Sequence, residues 1–342
     1  NMSKKSLNVI LKNKFNNNKE LSQIYFSFAK KIKSFKTKVY LIAVSGGPDS
    51  LALTALSKVY SQLNKSKFYY VLIDHNLRKN SSQEAQLVKR LLRKHKINLN
   101  IVKNRKLINS NIQSKAREVR YDLIKDYCKK KKIKIVLTAH NLEDQVETFF
   151  IRLSRGSGLY GLSSMKQVNQ LNRNIRLVRP LLDFKKKQLI KISKITFGKY
   201  FNDPSNKNKK YLRSKIRKLK RHLEKSGINY DQVFKSINNL ASSRDILDKY
   251  FQSIYKKTVR KKQKKIYINF NNFSKYDNEI KMRILMNSIV DLSNSYYSPR
   301  SKKIFNLING LKVGKKGQKF RLAGCSIHKD KNNIILGKEN KN

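Results

Sequence analysis

Acid and cysteine are what this chain has least of. Its 342 residues hold 21 Asp and Glu against 79 Lys and Arg, a formal net charge of +58. That excess is too large to be only a solvated surface, and it points to a polyanionic partner. Lys- and Asn-rich coding inflates the charge without explaining all of it, because arginines also sit inside the motifs below. The two cysteines, Cys128 and Cys325, form no metal-ligand spacing and no disulfide framework, and a reducing compartment fits them. No apolar run reaches the length of a membrane-spanning helix, so no membrane partner is expected. No internal repeat is visible. The first nineteen residues carry lysines and no acid, a composition compatible with organelle targeting but shared with the rest of the chain. Asn1 before Met2 reads as an odd start or a fragment edge. What remains is a 39% hydrophobic chain, globular rather than disordered and long enough for two domains.

The stretch that organises the chain is Ser45-Gly46-Gly47-Pro48-Asp49-Ser50. Before it, Val39 to Val44 is a continuous apolar run, the pattern of a strand buried on both faces of a parallel sheet. After it, Ala52, Leu53, Ala55, Leu56, Val59 and Leu63 fall at helical spacing. Two glycines let the backbone approach a ligand, and Pro48 suits a first helical turn. Free N–H groups at such a helix start form an anion site, with the Ser45 and Ser50 hydroxyls as further donors. Asp49 would repel a bound polyphosphate unless Mg²⁺ sits between them. The loop lacks the Lys-Ser/Thr of a Walker A motif and is not GxGxxG.

From residue 38, strands and helices alternate. Strands are expected at Val39–Val44, Phe68–Ile73, Ile97–Val102, Ile133–Thr138 and Ile175–Leu182, with helices between them. Ser81 to Glu84 resembles a capping box opening one of these helices. The order predicts an α/β fold, a doubly wound parallel sheet with ligands beyond the carboxyl ends of its strands. A basic helical segment (1–37) precedes this domain (38–215). A smaller, mainly helical domain with a short terminal β element (216–342) follows it.

Two clusters carry chemistry. His140 ends a strand, and Glu143, Asp144 and Glu147 lie in the first turns of the next helix, where each close pair shares a face. Acids there also stabilise a helix dipole. Three of them beside a histidine, in so acid-poor a chain, point to a site for Mg²⁺ and a cationic substrate. Arg117 and Arg120 share one face of the Ile112–Cys128 helix, suited to planar phosphate contact. Arg155-Gly156-Ser157-Gly158 is a basic loop able to clamp a phosphate or close over a site. Asp203-Pro204-Ser205-Asn206, Tyr211, Arg213 and Arg217 mark the domain junction.

SGGPDS resembles the pyrophosphate loop of ATP pyrophosphatases. With Asp74 to Arg78, Asn111 to Tyr121, His140 to Thr148, Arg155 to Gly158 and Asp203 to Asn206 in this order, residues 38–217 resemble the tRNA(Ile)-lysidine synthetases. Leu322 to Cys325 resembles them weakly. The resemblance implies that ATP adenylates the wobble cytidine of a CAU anticodon, that pyrophosphate leaves, and that free L-lysine displaces AMP. It implies ATP contacts from Ser45 to Ser50, with Asp49 and Asp144 holding Mg²⁺. Arg117 or Arg120 would offset phosphate charge, and His140 would orient nucleotide or base. Asp144 and Glu147 would receive the lysine amine. Contacts to tRNA(Ile) are implied for Arg155, Asn206, Arg213 and Arg217, and residues 216–342 are expected to be the tRNA-binding domain. A homodimer is compatible with the family. The compartment expected is the cytoplasm, or the stroma or matrix of an organelle in a eukaryotic source.

Glu143 stands where the family usually has Asp, and Ser214 where Asn is usual. The long second C-terminal module of larger members has no counterpart expected in these residues. A tRNA thiolase of the same superfamily would need catalytic or cluster-binding cysteines, and there is no CxxC. A non-catalytic RNA-binding protein has no use for carboxylates that weaken its hold on a polyanion. An amidotransferase-type synthetase needs a glutaminase nucleophile that is not visible.

Overall fold

The computed structural model describes residues 18–77, 80–105, 112–201, 212–293, 299–314 and 317–339. The chain divides into two compact units, Asn1–Ala241 and Ser242–Asn342.

The first unit is built on a six-stranded sheet with order β3-β2-β1-β4-β6-β5. Its strands are β1 (Val39–Val44), β2 (Lys67–Asp74), β3 (Leu99–Lys103), β4 (Ile135–Leu137), β5 (Val168–Asn172) and β6 (Ile175–Val178). The first four and β6 run parallel, with Val44 paired to Leu72 and Ile42 to Leu137. The expected doubly wound sheet is therefore present. Its far edge differs: β5 pairs antiparallel with β6 through a register shift between Gln170 and Asn172. The polar sequence of β5, Val-Asn-Gln-Leu-Asn, has one buried side chain, so periodicity could not reveal it.

The helices are α1 (Lys19–Lys33), α2 (Pro48–Asn64), α3 (Ser81–Lys94), α4 (Ile112–Lys130), α5 (Leu142–Leu153), the single turn α6 (Leu159–Leu162), α7 (Lys186–Phe197) and α8 (Leu212–Lys225). α9 (Tyr230–Thr258) contains the division between the two units. β1 and α2 form the centre of the core: Tyr40, Leu41, Ile42, Leu51, Leu53 and Leu56 are all essentially inaccessible to solvent. This is the burial that an unbroken apolar strand and the helix after it demand.

Two local expectations are corrected. The Ser81–Glu84 capping box does not form. The cap of α3 is Asn80, without a side-chain bond, and Ser82 instead donates to Asp74. A capping box occurs at α5, between Asn141 and Asp144. Along α5, Leu142 and Val146 are buried as expected, whereas Leu153 at the last turn is 49% exposed.

The second unit is a five-stranded antiparallel sheet, order β7-β8-β11-β10-β9, with helices α10 (Phe270–Lys275), α11 (Asn278–Ser293) and α12 (Ser301–Val313). The strands are β7 (Val259–Lys262), β8 (Lys265–Asn269), β9 (Lys319–Leu322), β10 (Cys325–Lys329) and β11 (Asn333–Lys338). The sheet is larger than the short terminal β element expected. β7 lies within a lysine run that shows no alternation, and β8, which starts at the end of that run, alternates over only five residues. Ile266, Ile268, Ile327, Ile334 and Leu336 pack with Ile284, Ile289, Ile304 and Ile308 in this unit's own core.

Candidate active site

Strand order reverses between β1 and β4, and the motifs gather at the carboxyl ends of these strands. Ser45 to Ser50 form the turn from β1 into α2. Gly46 sits at φ +81°, and a Cβ there would meet Val88 Cγ2 at 2.5 Å, so only glycine fits. Gly47 caps α2 with no side-chain bond, and Pro48 opens the helix, leaving first-turn N–H groups without a side-chain cap. Ser50 staples the loop rather than facing outward. Its hydroxyl donates to Gly47 O at 3.0 Å and accepts from Ser45 N and Ser45 Oγ at 3.1 Å. Phe201 N donates to Gly46 O at 3.0 Å and holds the outer side of the turn.

Two more helix starts meet this loop. Asp144 is bound into the α5 capping box, with Asp144 N donating to Asn141 Oδ1 at 2.9 Å and Asn141 N to Asp144 Oδ2 at 3.2 Å. Glu143 reaches the start of α7, where its Oε2 accepts from Lys186 N at 2.8 Å. The glutamate departure thus has a structural use: the longer side chain ties α5 to α7.

Asp49 lies among these groups. Burial, then the charge of Asp144, pushes its carboxyl up to about 7, with Lys186 and Asn141 opposing. Its Oδ1 is buried without a hydrogen-bond partner among the described residues. Two carboxylates that repel each other, one with an orphaned oxygen, fit a divalent cation between them. Among the described residues no cluster of three or more His, Cys, Asp or Glu could hold a metal by itself. Asp49 and Asp144 would therefore hold Mg²⁺ jointly with substrate phosphates and water, as is usual for that ion.

His140 follows β4. Its Nδ1 lies 3.0 Å from Thr138 Oγ1. Burial pulls its imidazole down to about 3, and Arg179, Arg117 and Arg213 add to this against the pull of Asp144. It is a neutral ring at working pH. Arg117 lies over the Tyr121 ring at 5.5 Å and acts on His140. Arg120, one turn on, donates through Nε to His75 Nε2 at 3.3 Å. The two arginines left undivided by their spacing thus address different strand ends.

The carboxylates expected to receive lysine meet the arginines expected to touch tRNA. Arg217 Nε lies 2.6 Å from Glu147 Oε1, Arg217 Nη2 3.7 Å from Asp144 Oδ1, and Arg213 Nε 3.4 Å from Glu147 Oε2. Arg213 also donates to Thr148 Oγ1 at 3.0 Å. Glu147 is 3% exposed, and burial pushes its carboxyl up despite Arg217. α8 thus lies along the acidic face of α5. Ser214, the other departure, is buried in the same helix. Arg155 is exposed in the turn after α5, and Arg152 braces that turn through Gly161 O and Ser164 O. Asn206, with Asp203 to Ser205 and Tyr211, lies outside the described residues.

Sequence reasoning missed three neighbours. Lys186 offsets Asp49. Tyr230 has a hydroxyl pushed up to about 12 by burial and by Glu147, and Lys220 Nζ lies 4.8 Å over its ring. Arg179, 2% exposed, binds Lys166 O at 2.8 Å. Only Arg179 carried a signal, being a charge at the end of an apolar strand.

A family model described as a PP-loop domain matches residues 18–223. The chain is 32% identical over 312 residues to the tRNA(Ile)-lysidine synthase of Wolbachia pipientis wMel, covering 90% of this chain and 72% of that protein. It is 31% identical over 317 residues to the tRNA(Ile)-lysidine synthase of Rickettsia typhi, covering 90% and 71%. Among solved structures, the U34-tRNA thiolase NcsA from Methanococcus maripaludis matches with a TM-score of 0.54 at 15% identity, over 65% of this chain and 79% of that one. That last likeness is one of fold.

Proposed function

The chain belongs to the tRNA(Ile)-lysidine synthases, enzymes with a PP-loop ATP-binding domain, and from that premise we propose that it joins lysine to the wobble cytidine of the CAU anticodon of tRNA(Ile). The observation that carries this reading is the approach of Asp49, at the start of α2, to Asp144, at the start of α5. It supports reading the loop as a phosphate site and the two carboxylates beside it as a cation site.

In the proposed first step the ring 2-carbonyl oxygen of cytidine attacks the α-phosphorus of ATP. The bond to the bridging oxygen breaks, and pyrophosphate leaves. The amides of residues 45–50 bind phosphate oxygens, and Arg117 and Arg120 offset their charge. Asp49 and Asp144 would hold Mg²⁺, which would supply charge neutralisation on the phosphates. In the second step the lysine side-chain amine attacks the activated ring carbon, AMP departs with the former carbonyl oxygen, and the nitrogen loses its proton to solvent. Asp144 and Glu147 orient the amine, which requires Arg217 to share or release Glu147. His140, neutral, can bond base or nucleotide but cannot supply a proton near neutral pH.

The test is mass analysis of tRNA after incubation with ATP, Mg²⁺ and lysine, with labelled ATP followed in parallel. The expected result is a lysine mass gain and tRNA-dependent AMP plus pyrophosphate. ADP as the main product, or a gain matching sulfur, overturns the reading.

A further inference from the structure

His75 is fixed with more care than a surface histidine needs. It follows β2, where Asp74, 2% exposed, accepts from Ser82 Oγ at 2.6 Å and from Asn76 N at 3.0 Å. Burial works against the charged form of Asp74, but these bonds, with the Lys103 charge, outweigh it and hold the carboxyl below its usual range. Asn76 takes the left-handed conformation at φ 52°, a cost that the Asp74 bond offsets. From β3's end, Asn104 N donates to Asp74 O at 2.8 Å and Asn104 Nδ2 to His75 O at 3.4 Å. The backbone at His75 is therefore held from the end of β3.

What this scaffold presents is an acceptor. Arg120 Nε can only donate, so His75 Nε2 must be unprotonated and the ring proton must sit on Nδ1. Burial, then the Arg120 charge, keeps the ring neutral, with its pKa down to about 4. Nδ1 is buried without a hydrogen-bond partner among the described residues. Nothing in the core needs this bond, because Arg120 is exposed on α4.

We propose that His75 is a positioning residue: its Nε2 fixes the direction of the Arg120 guanidinium at the carboxyl edge of the sheet, so that Arg120 meets the nucleotide's phosphates in one orientation. This rests on the adenylation reading above. A directional bond at Nε narrows the orientations open to an exposed guanidinium, and a misplaced phosphate clamp costs rate rather than fold.

The experiment is a double-mutant cycle on the full chain, with tRNA-dependent pyrophosphate release as the readout. His75→Ala and Arg120→Ala should each lower kcat about 10- to 100-fold, on the scale of a misplaced catalytic group, with unchanged melting. The double variant should be no slower than Arg120→Ala. His75→Gln, whose carbonyl can accept from Arg120, should recover most of the loss. Additive losses, or a His75→Ala rate close to the wild type, overturn the proposal. Nitrogen-15 spectra of labelled histidine test it without turnover. A protonated Nδ1 and an Nε2 resonance that moves in Arg120→Ala are expected, and a protonated Nε2 overturns it. A wild-type protein that is itself inactive would sink the adenylation reading and leave the spectra to judge the tether.

Discussion

Asp49 joins stability and chemistry in one side chain with opposite demands. Its folded-state pKa of about 7 lies above the ordinary value of 3.8, so the fold favours the protonated carboxyl. The ionised form is disfavoured, and the penalty appears as pH rises through about 4 to 7 and is complete above that. Asp49→Asn should therefore melt higher than the wild type in metal-free buffer at pH 8.5, at about 2–4 °C per kcal/mol for a unit the size of Asn1–Ala241. The two should melt alike near pH 4. The same variant should lose about 10²- to 10³-fold in rate, the scale of one transition-state electrostatic contact. A variant that is active, or less stable at high pH, would remove Asp49 from this account. The cysteines make the contrasting case. Both are fully buried, and burial pushes the Cys128 thiol up to about 12. Buried thiols held protonated in this way do not suit a nucleophile or a cluster ligand. Cys128→Ser/Cys325→Ser should keep most lysine-dependent modification, measured on tRNA by mass, with a modest loss of stability.

Between elements, the packing that matters most is α8 on α5. Glu147 is buried and Arg217 is its shortest partner, so Arg217→Ala leaves a carboxylate facing Arg213 alone at 3.4 Å. Breaking a fully buried pair costs about 3–5 kcal/mol, and partial exposure of Arg217 puts the expected loss nearer 1–3 kcal/mol. Glu147→Gln/Arg217→Ala should lose clearly less than Arg217→Ala in urea unfolding, because no charge is stranded. Glu147→Gln alone should raise the lysine KM more than the ATP KM. A change in ATP affinity only would place the lysine pocket elsewhere. This pairing was not legible in the sequence. Asp144, Glu147, Arg213 and Arg217 were each visible, but α5 and α8 are about 65 residues apart and nothing local joins them. The parallel strands and the loop at Ser45 to Ser50 were legible because unbroken apolar runs and paired glycines have a single local reading. β5 and β7 were not, because polar or lysine-rich strands on a sheet edge carry no hydrophobic alternation, and β8 alternates over only five residues at the end of a lysine run.

For the whole molecule the question is where a polyanion would bind. Residues 216–342 are the proposed tRNA-binding part, yet a cut at 216 would pass through α8 and remove Arg217, Tyr230 and Ile237. The last two pack against Leu142 and Val146. That truncation should unfold the ATP-binding unit, whereas ending the chain after Ala241 leaves this cluster intact. In the second unit the hairpin of β7 and β8 presents Arg260, Lys262, Lys264 and Lys265 to solvent, around Gln263 and Lys264 in left-handed conformation. Such a tip suits phosphate contact without base readout. Binding of tRNA should weaken steeply with salt, by about 10³- to 10⁵-fold between 50 and 200 mM if six to ten phosphates are neutralised on duplex-type counting. Replacing Lys262, Lys264 and Lys265 with Ala should lower the salt slope by about one for each phosphate that is no longer neutralised. The affinity for ATP should stay unchanged, because these lysines belong to a unit that does not contain the ATP-binding loop. Titrating labelled tRNA(Ile) at four salt concentrations gives the slope directly. A triple variant with the wild-type slope would move the tRNA backbone off this hairpin, and the basic face of α8 would then be the next surface to neutralise.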